Sequence, residues 1–355
     1  MDFPALIRWY LDSHRPLPWR ETRDPYRIWL SEVILQQTRV AQGRDYYDRF
    51  VARFPTVADL ASAPEDEVLK LWQGLGYYSR ARNLHSAAQQ VAALHGGVFP
   101  TEYAAVRALK GIGDYTAAAV VSFSADVPYA VVDGNVYRVL SRLFDLAAPI
   151  DTAAGKREFA SLAKGLLDDY LLVPGHRGAG LYNQAIMELG ALVCTPKSPK
   201  CGECPVAGNC LARKYGTIGG RPVKQGRTKQ TPRWFHYLHI TDERGRTVIC
   251  RREGRDIWQG LYEFPLIETG SETEFGALPL PSFLSIYTLV GSVRMPKHVL
   301  SHRIIHAVFH RIAVPDLSAL ALPAEWLVVP SERLGDYAVA RLTELYLTTE
   351  NKNLQ

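Results

Sequence analysis

The stretch Leu109–Arg142, LKGIGDYTAAAVVSFSADVPYAVVDGNVYRVLSR, carries the pattern that decides the fold. Leu109-Lys110-Gly111-Ile112-Gly113 reads as a tight glycine turn, and a helical run rich in Ala and Val follows from Tyr115 to Phe123. Tyr103 to Leu109, ahead of the turn, also has helical spacing. Two helices joined by Gly-x-Gly aim backbone N–H groups at a phosphate. The glycines permit positive φ and close backbone approach, and the second helix adds its positive N-terminal end. Further on, Val132-Asp133-Gly134-Asn135 leads into another helical run from Val136, which puts a carboxylate at a helix entrance. Alone, Gly-x-Gly is a common turn and an Asp before a helix is commonly an N-cap. The flanking sequence raises the functional reading of both.

The 355 residues allow two domains, and 47% hydrophobic content suits a chain with a sizeable core. A net charge of +5 is compatible with nucleic acid without proving it. No run of about 18 apolar residues occurs, so no membrane span is expected. The start, MDFPALIRWYLDSHR, has no basic segment followed by an apolar core and a small-residue cleavage site. The expected location is therefore the cytoplasm, in association with the nucleoid, and the default state is a monomer.

The first 25 residues give a short helix and then Arg15-Pro16-Leu17-Pro18-Trp19-Arg20, where two prolines forbid helix and present Trp19 and Arg20 on a loop. Tyr26 to Gln42 is helical, with Glu32 between Ser31 and Val33; the pattern leaves open whether this carboxylate is exposed. Residues 43–95 hold further amphipathic helices, with Pro55 and Pro64 at helix starts. Gly74-Leu75-Gly76-Tyr77-Tyr78-Ser79-Arg80 breaks the pattern. Its tyrosines either pack between helices or wedge against bases. Residues 151–190 are helical. Arg213 to Arg233 contains no acidic residue and reads either as a solvated tether or as a segment lying near a polyanion. Beyond it, strands are expected over Phe235–Thr241, Thr247–Arg251, Phe283–Val290 and Ile304–Val314, with a closing helix over Glu332–Thr348. This second domain is α+β.

Cys194, Cys201, Cys204 and Cys210 are separated by six, two and five residues, and Cys250 stands apart. Such a cluster in a cytoplasmic chain points to metal rather than disulfides. Zinc sites usually pair two Cys-x-x-Cys knuckles, and only Cys201 and Cys204 form one here. Three cysteines within ten residues and one upstream suit a compact [4Fe–4S] cube better. Lys197, Lys200, Arg213 and Lys214 flank the loop and could also meet phosphate.

With hairpin, DGN aspartate and cysteine spacing together, the chain resembles the helix–hairpin–helix DNA glycosylase superfamily with an iron–sulfur loop. Within it the chain is most similar to the adenine DNA glycosylase (MutY) family. The resemblance rests on LPWR (Leu17–Arg20), WLSEVILQQT (Trp29–Thr38), GLGYYSRARNL (Gly74–Leu84), LKGIGDYTAAAV (Leu109–Val120), VDGNVYRVLSR (Val132–Arg142), YNQAIMELGALVCT (Tyr182–Thr195) and the four cysteines. It implies a mainly α helix–hairpin–helix glycosylase domain over residues 1–215 with a [4Fe–4S] loop at 194–210. A basic linker over 216–232 and an α+β Nudix-like recognition domain over 233–355 would follow. IWQGLYEFP (Ile257–Pro265) matches the latter, but no Glu-rich metal helix follows, so recognition without pyrophosphate hydrolysis is expected. The family's Phe-Ser-His loop is Leu300-Ser301-His302 here, so its aromatic residue is missing.

The resemblance implies excision of adenine opposite 8-oxoguanine or guanine in duplex DNA. Glu32 would be the general acid and Asp133 the anion facing an oxocarbenium-like sugar, with Tyr115 and Asn135 orienting Asp133 or the water. The extruded base would meet Arg15, Leu17, Trp19, Arg20, Val40 and Gln184. The 8-oxoguanine would meet Gln37, Thr38, Leu75, Tyr77, Ser301 and His302. Gly111 and Gly113 would hold the DNA phosphate, with a monovalent cation on the hairpin carbonyls as in relatives. Tyr115 stands where strand-nicking relatives carry a lysine, so a monofunctional enzyme is expected. A thymine or uracil mismatch glycosylase and a non-enzymatic damage-binding protein are the alternatives. The thymine enzymes lack a Nudix-like domain, and a binder has no need of both carboxylates.

Overall fold

The computed structural model describes residues 1–226 and 229–353 of the chain. They form two compact units: Met1–Ser62 with Asn83–Gly226, and Ala63–Arg82 with Arg227–Gln355. The division thus departs from a single boundary after residue 215, because residues 63–82 cluster with the C-terminal part.

The first unit is helical: α1 (Phe3–Ser13), α2 (Pro25–Leu35), α3 (Val40–Arg53), α4 (Val57–Ser62), the Asn83–Leu94 part of a longer helix, and further helices down to the cysteine loop. The sequence opens α2 by capping: Asp24 accepts from the Tyr26 amide at 2.9 Å, and Pro25 takes the first turn, where a missing N–H costs nothing. The helix then buries Tyr26 and every residue from Ile28 to Ile34, leaving Arg27 exposed. Its expected continuation to Gln42 fails. Gln37 adopts a left-handed φ of 58°, and a new helix starts at Val40.

The glycine turn joins two helices as expected, Tyr103–Ala108 and Asp114–Ala125. Gly111 has φ 76°, and a Cβ there would stand 2.6 Å from the Asn83 Cβ, so only glycine fits. Gly113 has an ordinary φ of −95° and open space around it. The helix Gly134–Leu143 is capped by Asp133, whose carboxylate accepts from the Asn135 and Val136 amides. The expected helical stretch 151–190 divides into Ala153–Leu171 and Ala179–Leu192 around a turn at 172–178. The core is built from these last helices and α1. Tyr170 stacks on Tyr182 with centroids 5.0 Å apart, and Phe3 meets both at an angle, 5.8 and 5.9 Å away. Gly190 lets the helix Ala179–Leu192 approach the Asn135 backbone, because a Cβ would come within 2.6 Å of the Asn135 Cβ.

The basic stretch after Arg213 is not a free tether over its first half. Val223 O accepts from Ile150 N at 3.1 Å, and the Gln225 and Gly226 amides donate to Asp151. Arg227 and Thr228, within the expected linker, lie outside the described residues.

The second unit is a mixed sheet with the path β3-β2-β1-β7-β5, where β1 is Thr231–Asp242, β2 Arg246–Arg251, β3 Tyr262–Glu263, β5 Thr288–Arg294 and β7 Arg303–Val314; β4 (Leu266–Thr269) pairs with β1, β6 (His298–Val299) with β7 and β8 (Leu327–Pro330) with β2. β1 and β7 run parallel, with Trp234 opposite His306. Alternation sends Phe235, Tyr237, Ile305 and Phe309 to one face, where the closing helix Arg341–Asn353 covers them through Leu342 and Tyr346. Leu238, Ile240 and Ile312 go to the other face. Two expectations shorten. The strand foreseen at Phe283 begins at Thr288, and the closing helix begins at Arg341, after a 3₁₀ turn at Ser331–Asp336. Residues 63–82 are fastened to this unit by Arg251 to Glu65 (2.7 Å), Tyr262 to Asp66 (2.9 Å) and Lys70 to the Tyr337 carbonyl (3.0 Å). Among the described residues no helix is long and apolar enough to cross a membrane.

Candidate active site

A cleft of about 930 Å³ opens in the helical unit. It gathers Glu32 from α2, Tyr115 from the helix after the hairpin, and Asp133 and Asn135 from the next helix entrance. Arg15, Leu17, Trp19, Arg20, Val40 and Gln184, expected around an extruded base, line the same cleft, as do Gln37 and Thr38. Trp19 is not on an open loop: it is buried in a 3₁₀ turn, Pro18–Arg20, edge-on to Tyr47.

Glu32 is 8% exposed because α2 is buried all round from Ile28 to Ile34. Burial pushes its carboxyl up to about 7, the Tyr115 hydroxyl bond pulls it down, the Asp133 charge raises it, and Arg20 lowers it. The Tyr115 hydroxyl donates to Glu32 Oε2. Tyr115 is thus the partner of Glu32, not of Asp133. Burial raises Asp133 as well, but the amides of Val136 and Asn135 and the Asn135 side chain oppose the rise. Asp133 Oδ1 accepts at 2.9 and 2.7 Å from the Asn135 and Val136 amides, and Oδ2 accepts from Asn135 Nδ2 at 2.7 Å. These donors and the positive helix end suit an anion. The cleft therefore holds one carboxyl able to carry a proton near neutrality and one dressed as a carboxylate.

Two groups escaped the sequence reading. Glu188 is fully buried and accepts from the Arg15 amide and guanidinium at 2.5–3.0 Å and from the Arg20 guanidinium at 2.7 and 2.9 Å. Burial alone would raise this carboxyl; the two arginines bring it down to about 2. One turn away, Gln184 accepts from the Tyr10 hydroxyl at 2.6 Å, so the i, i+4 pair Gln184/Glu188 was the available signal. Glu188 fixes the Arg15–Arg20 wall of the cleft. Glu188→Ala leaves two guanidiniums facing a buried gap and is expected to cost about 3 kcal/mol, read as a drop in denaturant midpoint at constant m. The second group is Arg138. It donates to Asn135 Oδ1 and Gly190 O, both at 2.8 Å, and to Cys194 O at 2.6 Å, joining the aspartate's partner to the cysteine loop.

Cys194, Cys201, Cys204 and Cys210 line one cavity with Arg142 and Arg213. Arg142, 3% exposed, donates to the carbonyls of Thr195 (2.7 Å) and Pro196 (3.0 Å) and lies 3.4 Å from Cys194 Sγ. A buried cation beside Cys194 Sγ suits the negative charge that four cysteine ligands bring to an iron–sulfur cluster. Cys250 is on β2, outside this set, and burial pushes its thiol up to about 12.

At the hairpin, where a monovalent cation is expected, the Ile112 carbonyl accepts from Arg107 Nη1 at 2.9 Å and Arg107 Nε pairs with the exposed Asp114 at 2.6 Å. The remaining expected residues, Leu75, Tyr77, Ser301 and His302, line a separate cavity of about 430 Å³ in the second unit.

Three family profiles match the chain. They are described as HhH-GPD superfamily base excision DNA repair protein, over residues 30–163; iron–sulfur binding domain of endonuclease III, over 194–210; and NUDIX domain, over 236–349. An adenine DNA glycosylase of Buchnera aphidicola subsp. Schizaphis graminum is 32% identical over 76% of this chain and 75% of its own. One of Schizosaccharomyces pombe is 38% identical over 76% of this chain and 70% of its own. A solved thermostable thymine-DNA glycosylase superposes with a TM-score of 0.53 at 29% identity, over 60% of this chain and 94% of that one. The fold class and the [4Fe–4S] loop are those the sequence led us to expect. Matched at 32% identity over three-quarters of the Buchnera relative's length, and with the HhH-GPD, iron–sulfur and NUDIX profiles following one another along its own sequence, the chain belongs to the adenine DNA glycosylase family.

Proposed function

We propose that the protein hydrolyses the N-glycosidic bond of adenine placed opposite 8-oxoguanine or guanine in duplex DNA, without cutting the strand. The observation that carries this reading is the pairing, in one cleft, of Glu32, buried against the Tyr115 hydroxyl with its carboxyl pushed up to about 7, with an Asp133 held by three hydrogen bonds. Adenine leaves poorly as an anion. The Glu32 carboxylic acid passes its proton to N7 of the extruded base, the C1′–N9 bond breaks, and its electron pair goes to the purine. The cationic sugar then faces the Asp133 carboxylate. Water adds to C1′ and returns a proton to Glu32. Tyr115 occupies Glu32 Oε2, which leaves Oε1 to carry the transferable proton. Since the Tyr115 position offers no amine, no Schiff base forms and the product is an intact abasic strand. The cluster held by the four cysteines supplies no step; its loop is positioned by Arg138 and Arg142 and braces the Asp133 helix entrance. Leu75, Tyr77, Ser301 and His302 would read the opposite base.

The test is single-turnover release on four duplexes: adenine opposite 8-oxoguanine, guanine or thymine, and thymine opposite guanine. Release confined to the first two, with strand breaks only after alkali, is the expected result. Release of thymine would assign the chain the activity named for its solved neighbour. Tight binding without release would make it a damage binder.

A further inference from the structure

Among the described residues, five non-glycine positions have positive φ, and two of them are bulky aromatics: Tyr77 at 48° and Trp258 at 61°. For large side chains this region is strained, and such strain persists where surrounding contacts impose it. Both aromatics line the same cavity of the second unit, with Leu300, Ser301 and His302. The turn carrying Trp258 is over-determined. Asp256 pairs with Arg233 and Arg252 at 2.7 and 2.6 Å, Arg252 Nε donates to Ile257 O at 2.8 Å, and Leu261 N to Trp258 O at 3.0 Å. The indole is wedged edgewise between Phe235 (6.1 Å) and His298 (5.8 Å). The fold thus spends conformational strain on holding one flat ring at the cavity wall.

We infer that Trp258 is a positioning residue for the base read in this cavity, supplying the aromatic wall that position 300, a leucine here, does not. This rests on the proposed reading of the cavity as the 8-oxoguanine site. A single hydroxyl such as that of Ser301 distinguishes one base edge from another only if the base is held in one orientation. A planar wall gives that orientation to a planar ligand. Leu75, Ile257 and Leu300 offer branched surfaces that do not, and of the two tyrosines in the lining Tyr77 is 52% exposed and Tyr78 is buried against the Val339 carbonyl, whereas Trp258 is clamped by its turn.

The experiment measures the ratio of single-turnover rates for adenine opposite 8-oxoguanine and opposite guanine, both on the same preparation, so that the active fraction cancels. Trp258→Gly removes the ring while accepting the left-handed backbone without strain. The expected result is a fall in the ratio of about tenfold, the scale of one lost base–aromatic contact. Trp258→Phe should keep most of the ratio, and Leu300→Phe added to Trp258→Gly should recover part of it. That rescue would not follow from a merely structural role. An unchanged ratio in Trp258→Gly overturns the inference. Ser301→Ala tests the underlying reading separately. If it lowers the ratio while Trp258→Gly does not, only the role of Trp258 fails; if neither changes it, the cavity does not read the opposite base.

Discussion

Glu32→Gln is expected to slow base release by about 10³-fold while duplex affinity stays within a fewfold, because the amide accepts the Tyr115 bond but has no proton to give. Single-turnover kinetics and a binding titration on the same adenine:8-oxoguanine duplex separate the two quantities. In the wild type the acid form is the active one. With Glu32 raised to about 7, the rate should be level below that pH and fall tenfold per pH unit above it. The variant should lose this descending limb. Stability supplies an independent control. The folded-state pKa lies above the unfolded one, so the folded protein binds more protons between the two and loses stability as pH rises through that window. Above it, the wild type holds an ionised carboxylate in a buried site. Glu32→Gln should therefore melt higher than the wild type at pH 8, with the difference shrinking toward pH 5. A variant with near-wild-type turnover, or an unchanged pH profile, would remove Glu32 from the role of acid.

What was legible in the sequence was local. The Gly-x-Gly turn, the Asp133 cap, the cysteine spacing and the strands at Phe235–Thr241 and Ile304–Val314 each follow from residues within a few positions of one another. What was not legible depends on distant partners. An amphipathic pattern could not say whether Glu32 is exposed, because α2 is buried all round from Ile28 to Ile34 and its surroundings come from the whole helical unit. Glu188 acquires its meaning from arginines 168 and 173 residues away. Nothing in Gln36-Gln37-Thr38 is a helix breaker, yet Gln37 turns left-handed and ends α2 at the cleft. The acid-free stretch after Arg213 looked like a tether because its partners, the Ile150 amide and the Asp151 carboxylate, lie about 70 residues upstream. Trp258 is a motif residue in IWQGLYEFP, but only its backbone angle sets it apart from a core tryptophan.

Asp133→Asn should lower the rate of base release a few hundredfold, about the loss expected when one preorganised electrostatic partner of a transition state is removed. The substitution is informative because Asp133 has two jobs. As N-cap it satisfies the Asn135 and Val136 amides through Oδ1, and asparagine caps about as well as aspartate. Its Oδ2, however, accepts from Asn135 Nδ2, and an amide at 133 would present a donor to that donor. Asn135 cannot simply flip, because its own Oδ1 accepts from Arg138 at 2.8 Å. The single variant therefore loses both a charge and a hydrogen bond, and its stability should fall by about 1 kcal/mol. Adding Asn135→Asp divides these losses. A carboxylate at 135 still accepts from Arg138 and can accept from the new amide side chain at 133, so the hydrogen-bond chain to the cysteine loop is restored with its net charge. The negative charge now sits at 135 rather than 133. If Asp133 acts by facing the cationic sugar, the double variant should regain stability and remain a few hundredfold slow. If it acts only by ordering the helix entrance and the chain through Arg138, rate and stability should recover together.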